Sequence, residues 1–390
     1  MADKRSARND RLPTPPDSST TRQRTHKRRK STVADGWGLV IAGAVLLLVV
    51  VASSMAVGLY FTVAREQQEV LPTAVLELPT PVVMRQDYSG VDLSLISGSR
   101  LRLEDGRDII IEPWDGESRF TILLMGIDRR PGETGLAYRT DTMMLISLEP
   151  DTQQIGVLSI PRDLYVPMGG YSSLQRVNSA MVLGELSEEG TGPDLAMRTV
   201  QNNLGIRVND YAAVDFNGFI QFVDLIGGVE IETTYTINDP TFPNMFYGFD
   251  PFYLPAGTHQ LDGATALKFA RTRHGDNDFR RALRQQQVLY AVRDRLLEPG
   301  VLAQLIVQSP TLYQQYQDNV STGLTLDQMI QLMLFVKDIP EENITTGVID
   351  QRYISNYRTS QGAAVLIPNR NRIGELMVEI FGENYAEETS

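Results

Sequence analysis

The pattern of apolar and polar positions divides the chain into three parts. The first 35 residues are polar and contain Pro and Ser, and Trp37 to Ala64 then form a run of 28 residues without a charge. A helix over that run would be about 40 Å long at about 1.5 Å per residue, enough to cross a bilayer. The remainder alternates short apolar runs with turn-forming residues, a pattern typical of a folded domain.

The charge that precedes the apolar run predicts its orientation. Residues 1–35 hold ten Lys/Arg against four Asp/Glu, and the cluster Lys27–Lys30 lies just before the run. Such a cluster also occurs in nuclear or nucleic-acid-binding signals, but beside an apolar run it is typical of a cytoplasmic flank. The run is too long for a cleaved signal peptide. We therefore predict a disordered cytoplasmic tail over 1–35, one transmembrane helix over 36–64, and a single-pass plasma-membrane protein whose remainder is extracytoplasmic.

The segment that follows the apolar run predicts a stalk. Residues 65–118 contain a charged, Pro-punctuated spacer and then LRLEDGRDIIIEP, in which two alternating runs flank Asp105–Gly106. A turn at that dipeptide predicts a β-hairpin. We expect a stalk with accessory strands over 65–118, the main domain over 119–382 and a disordered C-terminus over 383–390.

The main domain alternates predicted strands and helices. Apolar runs that end in charged residues predict buried strands at FTILLMGID, TDTMMLISLEP and QIGVLSIPRD. Later runs predict a helix over 193–204, a strand at YAAVDF, a helix and a strand within FNGFIQFVDLIGGVEIE, and helices over 325–336 and 373–381 with a strand at VLIPN between them. The aromatic segment 238–258 is predicted as a long loop, whose length favours a functional role. The fold class is α/β, with a mixed central sheet and helices on both faces.

Composition excludes several kinds of site. The chain has no Cys, and its three His, at 26, 259 and 274, are too few for a histidine-rich zinc site. Beyond residue 35 it holds 26 Lys/Arg against 44 Asp/Glu, a net charge of −18. So acidic a body does not favour nucleic acid as a partner. The sequence also lacks a nucleotide P-loop, a serine-nucleophile elbow, a zinc-protease motif and a dinucleotide-binding loop.

One segment of this acidic body is strongly basic. Lys268–Gln287 holds five Arg and one Lys in twenty residues. Arg271 and Arg273 are two residues apart, so in an extended segment they would point to one face. Guanidiniums from two adjoining elements can hold a multiply charged phosphate group, although a solvated basic helix is the commoner explanation of such a run.

The second half of the basic segment has a helical pattern. Asp278 is a candidate N-cap for this helix. One stripe of the helix holds Arg281, Arg284 and Gln285. The opposite side, which can anchor the helix to a core, holds Phe279, Leu283 and Tyr290. Arg280 lies at the edge of the polar stripe and is expected to face solvent.

Two aspartates lie at ends of the predicted strands. Asp128 ends the first strand and Asp141 begins the second. Two carboxylates, phosphate oxygens and water suit Mg²⁺, with Mn²⁺ also possible, although loop aspartates are more often turn residues or caps. Arg129, Arg139 and Arg162 lie beside the same strand ends, where a surface salt bridge would explain any one of them.

The order of these motifs resembles the LytR–CpsA–Psr family. The resemblance runs from about Phe120 to Leu297 and rests on the segments GIDRR, YRTDTMMLISL, IGVLSIPRDLYV, RVNSA, FVDLIGGVEI, LDGATALKFARTR and DNDFRRALRQQQV. Members of that family transfer glycopolymers from a polyprenyl-pyrophosphate carrier in the membrane lipid to peptidoglycan, outside the membrane. The resemblance therefore implies that residues 119–382 form a catalytic domain with this carrier and peptidoglycan as partners.

The resemblance also implies roles for individual residues. The implied catalytic residues are Asp128, Asp141 and Arg162, of which the two aspartates bind Mg²⁺. The implied pyrophosphate contacts are Arg129, Arg139, Arg162, Arg273, Arg281 and Gln285, with Arg271 and Arg284 in support. An apolar cavity for the polyprenyl chain is also implied, with Phe216, Phe219, Phe222 and Leu225 as candidates, although each such side chain more often packs in a core.

One segment departs from the family pattern. The family's Asn–His–Ala–Tyr stands here as Asn178–Ser179–Ala180–Met181, so no imidazole or phenol is expected to position substrate at this point.

Three functions are compatible with the motifs: a glycopolymer transferase, a polyprenyl-pyrophosphate pyrophosphatase that uses water as acceptor, and a non-catalytic envelope-sensing regulator of the transcriptional-attenuator type. The motifs name neither the polymer nor a general base.

Overall fold

The computed structural model describes residues 100–386, except 103–107, 111–113, 115, 117, 131, 245–247 and 275–276. The predicted tail over 1–35, the span over 36–64 and the stalk up to residue 99 lie outside the described residues, as do residues 387–390 of the predicted disordered C-terminus. Each helix in the described part is too short or too polar to cross a bilayer.

The strands and helices of the described part alternate along the chain. The strands are β1 (Arg100–Arg102), β2 (Asp108–Ile110), β3 (Phe120–Ile127), β4 (Thr140–Glu149), β5 (Gln154–Ser159), β6 (Tyr165–Val166), β7 (Gln175–Arg176), β8 (Asp210–Asp215), β9 (Val229–Thr233), β10 (Ile237–Asp239), β11 (Phe252–Leu254), β12 (Gly257–Leu261), β13 (Val320–Thr322), β14 (Ile344–Val348), β15 (Ile354–Arg358) and β16 (Ala364–Pro368). The α-helices are α1 (Ala180–Ser187), α2 (Gly192–Leu204), α3 (Phe216–Leu225), α4 (Gly263–Arg271), α5 (Asp278–Leu297), α6 (Val301–Tyr316), α7 (Leu326–Lys337) and α8 (Arg370–Phe381).

Six strands form a mixed central sheet in the order β13-β8-β3-β4-β5-β14. β4 is antiparallel to both β3 and β5, whereas β8 is parallel to β3 and β14 is parallel to β5. The ends of β3 and β5 and the start of β4 therefore lie at one edge of the sheet. The predicted strands at FTILLMGID, TDTMMLISLEP and QIGVLSIPRD are confirmed, and their charged ends meet at this edge.

Both faces of the sheet are covered by helices, as the sequence predicted. Alternate residues of a strand point to opposite faces. Leu123, Leu145 and Leu158 belong to a buried cluster that includes residues of α1, α2 and α8. Ile146 and Val157 belong to another cluster, on the opposite face, with residues of α5 and α7. Burial of apolar side chains on both faces stabilises this three-layer arrangement.

Two smaller ribbons extend the domain beyond the central sheet. β9 pairs with β12, and β10 pairs with β11, all antiparallel. The prediction of a long loop over 238–258 is therefore wrong at its two ends. In β11, Phe252 and Leu254 are buried while Tyr253 between them is exposed, and this alternation favours strand pairing despite the nearby prolines. The predicted hairpin of β1 and β2 is confirmed, with its turn outside the described residues.

Candidate active site

A cavity of about 470 Å³ opens at the sheet edge where β3 ends and β4 begins. We call it the polar cavity. It is lined by Gly126, Asp128, Asp141, Thr142, Phe216, Asp239, Thr241, Phe242, Pro243, Arg271, Thr272, Arg273, His274, Arg281 and Gln285. The fold thus brings the two predicted aspartates together with three of the predicted arginines and the predicted glutamine.

The two aspartates present oxygen atoms that suit a divalent cation. Oδ1 of Asp128 is buried and accepts no hydrogen bond from any described residue. Asp141 accepts a hydrogen bond of 2.9 Å on Oδ2 from Nη1 of Arg162. A buried carboxylate oxygen without a donor is costly unless a cation or water satisfies it. The described residues contain no cluster of three or more metal-binding side chains, so phosphate oxygens and water would complete the coordination that Mg²⁺ prefers.

Asp278 holds three guanidiniums in one group. Its carboxylate lies 3.6 Å from Nε of Arg162, 3.4 Å from Nε of Arg273 and 3.6 Å from Nη1 of Arg281. The predicted N-cap role is wrong, because Asn277 caps α5 by accepting a hydrogen bond of 2.9 Å from the Arg280 backbone N–H. An acidic residue in the first turn of a helix is common for electrostatic reasons alone, so the sequence carried no signal for this role of Asp278.

Arg271 lines the polar cavity and is partly buried. It is the last residue of α4, so the predicted extended conformation is wrong at this position, although Arg273 beyond it does lie outside the helix. Its guanidinium lies 3.9 Å from the ring centroid of Phe216. Burial lowers the pKa of Arg271, and the nearby carboxylates of Asp128 and Asp141 counteract part of that effect. Arg271 therefore contributes a positive charge to the wall of the polar cavity.

Two members of the predicted α5 stripe reach the polar cavity. Arg281 is 7% exposed, its Nη2 donates to the backbone oxygen of Asp141 at 3.3 Å, and its Nε donates to no described residue. Nε2 of Gln285 donates to Oγ1 of Thr142 at 2.9 Å. These contacts join α5 to the start of β4 and leave a buried N–H donor for a ligand.

The third member of the stripe, Arg284, has a different role. It is 3% exposed, and its guanidinium donates to the backbone oxygens of Phe269 (3.0 Å) and Thr272 and to the Tyr235 hydroxyl (3.1 Å). These carbonyls belong to the C-terminal end of α4, where the last backbone oxygens of a helix need donors. Arg284 lies outside the set of residues that line the polar cavity, and its supporting pyrophosphate role stays a prediction. Leu283 does not anchor α5 either, since it is 56% exposed.

Arg129 is also held by the protein itself. Its Nε and Nη2 donate to Oδ2 of Asp215 at 2.9 and 2.7 Å, within a buried ion pair. It also donates to the backbone oxygens of Gly135 and Asp318. Oδ1 of the same aspartate caps α3 by accepting from the Gly218 backbone N–H. Through these contacts Arg129 fastens the loop after β3 to the start of α3, next to Asp128. Its implied pyrophosphate contact stays a prediction.

Arg139 and the segment 178–181, which differs from the family pattern, lie outside the lining of the polar cavity. Arg139 is exposed just before β4, outside the set of residues that line the polar cavity, and its implied pyrophosphate contact stays a prediction. Asn178 and Met181 are both buried, and Met181 packs in the core beside the sheet. Met181 is therefore a core side chain in this chain.

Apolar cavities lie between the sheet and the helices on its other face. One of about 260 Å³ is walled by the sheet, α5 and α7, and a second of about 560 Å³ shares Ile122, Leu332 and Met333 with it. Phe222 and Leu225, two of the four lipid candidates, line the second cavity. The other two do not. Phe219 packs against the core beside β9, and Phe216 lies in the polar cavity against Arg271.

Together, these features define a class of protein: an α/β domain with an arginine–carboxylate cavity at one sheet edge and apolar cavities between its sheet and helices. The profile of the LytR_cpsA_psr family matches residues 99–380. The chain therefore belongs to the LytR–CpsA–Psr family, as its motifs indicated.

Relatives with names and solved structures agree with this assignment. The polyisoprenyl-teichoic acid–peptidoglycan teichoic acid transferase TagU of Oceanobacillus iheyensis is 33% identical over 263 residues, which are 67% of this chain and 75% of that protein. The protein of the same name from Bacillus cereus is 32% identical over 225 residues, 57% of this chain and 66% of that protein. The crystal structure of B. subtilis TagV has a TM-score of 0.54 and 25% identity, covering 70% of this chain and 98% of that chain. TagT bound to LIIa-WTA has a TM-score of 0.54 and 23% identity, covering 74% and 99%, and shows the fold alone.

Proposed function

We propose that this protein is a membrane-anchored phosphotransferase that moves a glycopolymer from a polyprenyl-pyrophosphate carrier to peptidoglycan. One observation carries the proposal: the buried Nε of Arg281, which has no acceptor among the described residues, lines one cavity together with Arg271, Arg273 and two aspartates. Such charge-assisted donors suit phosphate oxygens. Relatives named as teichoic acid transferases support the same reaction class.

The surrounding cavities suit the rest of the carrier. Those between the sheet and the helices have mostly apolar walls, which favours a prenyl chain. The uncharged run over 36–64 and its basic flank would hold the domain on the outer side of the membrane, where such a carrier presents its glycopolymer. The proposed membrane anchor and the outward orientation of the domain therefore rest on the sequence.

The reaction depends on neutralising phosphate charge. Asp128 and Asp141 would hold Mg²⁺ or Mn²⁺, which when bound acts as a Lewis acid towards phosphate oxygens. Arg271 and Arg281 bind the pyrophosphate and stabilise the charge that grows on the departing polyprenyl phosphate. A peptidoglycan hydroxyl attacks the sugar-linked phosphorus, a new P–O bond forms and the phosphoanhydride bond breaks. Fixed arginines lower this barrier because their dipoles and charges need no rearrangement during the step.

The experiment that tests this proposal separates transfer from hydrolysis. Full-length protein in detergent is given a polyprenyl-pyrophosphate-linked oligosaccharide with a labelled sugar, with and without peptidoglycan. We expect label in the peptidoglycan and release of polyprenyl phosphate, both prevented by a chelator. Asp141→Asn is expected to slow transfer by about 10²–10³-fold. The matched control is Asp151→Asn, in the exposed turn after β4, which should act as the wild type does.

Each other outcome selects a different function. Label released as free sugar phosphate while peptidoglycan is present would make the protein a pyrophosphatase. Absence of any phosphoanhydride cleavage by the wild-type protein, with the carrier bound, would favour the non-catalytic regulator. Full activity of Asp141→Asn would remove the aspartate pair from the mechanism.

A further inference from the structure

The polar cavity contains a histidine that none of the motif-based roles includes. His274 lies just beyond Arg273 and lines the cavity together with Asp128, Asp141 and Arg281. Its side chain is 48% exposed, so it is open to a ligand. Its Nδ1 lies 3.7 Å from Oδ1 of Asp239 on β10. An imidazole that faces a carboxylate on one nitrogen has its other nitrogen available for a substrate.

The carboxylate that faces this histidine is firmly held. Asp239 is 5% exposed. Its Oδ2 accepts a hydrogen bond of 2.8 Å from Oγ1 of Thr272, and its Oδ1 accepts from N and Oγ1 of Thr241 at 3.2 and 3.3 Å. Thr272 is in turn fixed by Arg284, which donates to its backbone oxygen. Asp239 is therefore a rigid, buried reference point for the imidazole ring.

The arrangement is that of a base and the group that orients it. At 3.7 Å the two atoms attract each other but form no hydrogen bond. Contacts of this kind are often long without substrate and shorten when substrate binds. Asp239 and His274 do not combine with Asp128 and Asp141 into a metal cluster in the described part of the chain. The pair is thus separate from the carboxylates that suit Mg²⁺, although it shares their cavity.

We propose that His274 is the general base of the transfer reaction and that Asp239 is its positioning residue. This inference rests on the proposed function. Nε2 accepts the proton of the attacking hydroxyl as that oxygen bonds to the sugar-linked phosphorus. The phosphoanhydride bond then breaks, polyprenyl phosphate leaves with the electron pair, and the imidazolium releases its proton to water. Asp239 favours the tautomer that carries hydrogen on Nδ1 and stabilises the imidazolium.

The charges around the cavity set the conditions for this step. The groups that share the cavity with His274 are Asp239 from β10, Asp128 and Asp141 from the sheet edge, Arg271 from α4, Arg273 from the adjacent loop and Arg281 from α5. A base accepts a proton only in its neutral form, so the base role predicts that kcat falls at acidic pH.

The test compares His274→Gln with the wild type in full-length protein, with the labelled carrier and either peptidoglycan or water as acceptor. We expect kcat to fall by about 10²–10⁴-fold, KM for the carrier to change less than about threefold, and the acidic limb of the kcat profile to disappear. Asp239→Asn should reduce kcat less than His274→Gln does and should shift the acidic limb of the kcat profile. Added imidazole should partly restore the activity of His274→Ala. His259→Gln is the matched control, because His259 lies on β12 outside the cavity lining and contacts the Pro255 backbone oxygen.

The outcomes separate this inference from the proposed function. A kcat of His274→Gln within about threefold of the wild type, or an unchanged acidic limb, would overturn the base role. A rise in KM alone would make His274 a binding group and would equally overturn it. If the wild-type protein fails to cleave the phosphoanhydride with either peptidoglycan or water as acceptor, the proposed function itself fails, and the base role with it.

Discussion

Two arginines of α5 have different roles, one inside the polar cavity and one beside it. Arg281 in the cavity and Arg284 on the same helix are one turn apart and almost equally buried. The first pairs with Asp278 at 3.6 Å and keeps a buried Nε that donates to no described residue. The second donates to two backbone carbonyls and a hydroxyl. The difference is in the acceptors that the fold provides, not in burial or in spacing along the helix.

The same contrast separates two adjacent residues of the GIDRR motif. Asp128 has a carboxylate oxygen without a donor among the described residues, while Arg129 next to it is fully engaged with Asp215 and backbone oxygens. An arginine whose N–H groups are satisfied by fixed acceptors stabilises the fold, since removing it leaves those acceptors buried and unpaired. An arginine with unused donors is available to bind an anion.

The largest expected effect on stability comes from Arg129→Ala. This change leaves Asp215 as an unpaired buried charge, which costs about 3–5 kcal/mol. We expect Tm to fall on the order of 10 °C, measured by thermal unfolding of the full-length protein. The exposed Arg139→Ala serves as control and should change the free energy of unfolding by less than about 0.5 kcal/mol. If Arg129→Ala keeps its Tm but loses carrier binding, Arg129 belongs to the site after all.

A smaller effect is expected from Arg284→Met, which keeps the apolar stem and removes the donors. The backbone oxygens of Phe269 and Thr272 would lose their partner, at a cost of about 1–3 kcal/mol. Denaturant unfolding should show this loss, while the folded protein binds the carrier as tightly as the wild type. The exposed Arg280→Met is the matched control. Unchanged stability with weakened carrier binding would contradict the anchoring role.

Much of the fold could be predicted from local patterns, because strands buried on both faces leave long apolar runs that end at charged residues. Asp128, Asp141 and Arg162 lie beside the ends of those runs, and the sheet gathers them at one edge. The roles of Arg129, Arg284 and Asp278 could not be predicted in the same way. They depend on which carbonyls and carboxylates the tertiary structure brings within 3–4 Å, and these partners lie up to 189 residues away along the chain.

The central claim is that the polar cavity binds the pyrophosphate of a lipid carrier through Arg281. The most direct measurement is the dissociation constant of a polyprenyl pyrophosphate for full-length wild-type protein, Arg281→Ala and Arg284→Met, each checked for folding. Loss of a charge-assisted hydrogen-bond donor predicts binding about 10–100-fold weaker for Arg281→Ala, with Arg284→Met unchanged. Equal affinity of wild-type protein and Arg281→Ala would contradict the account.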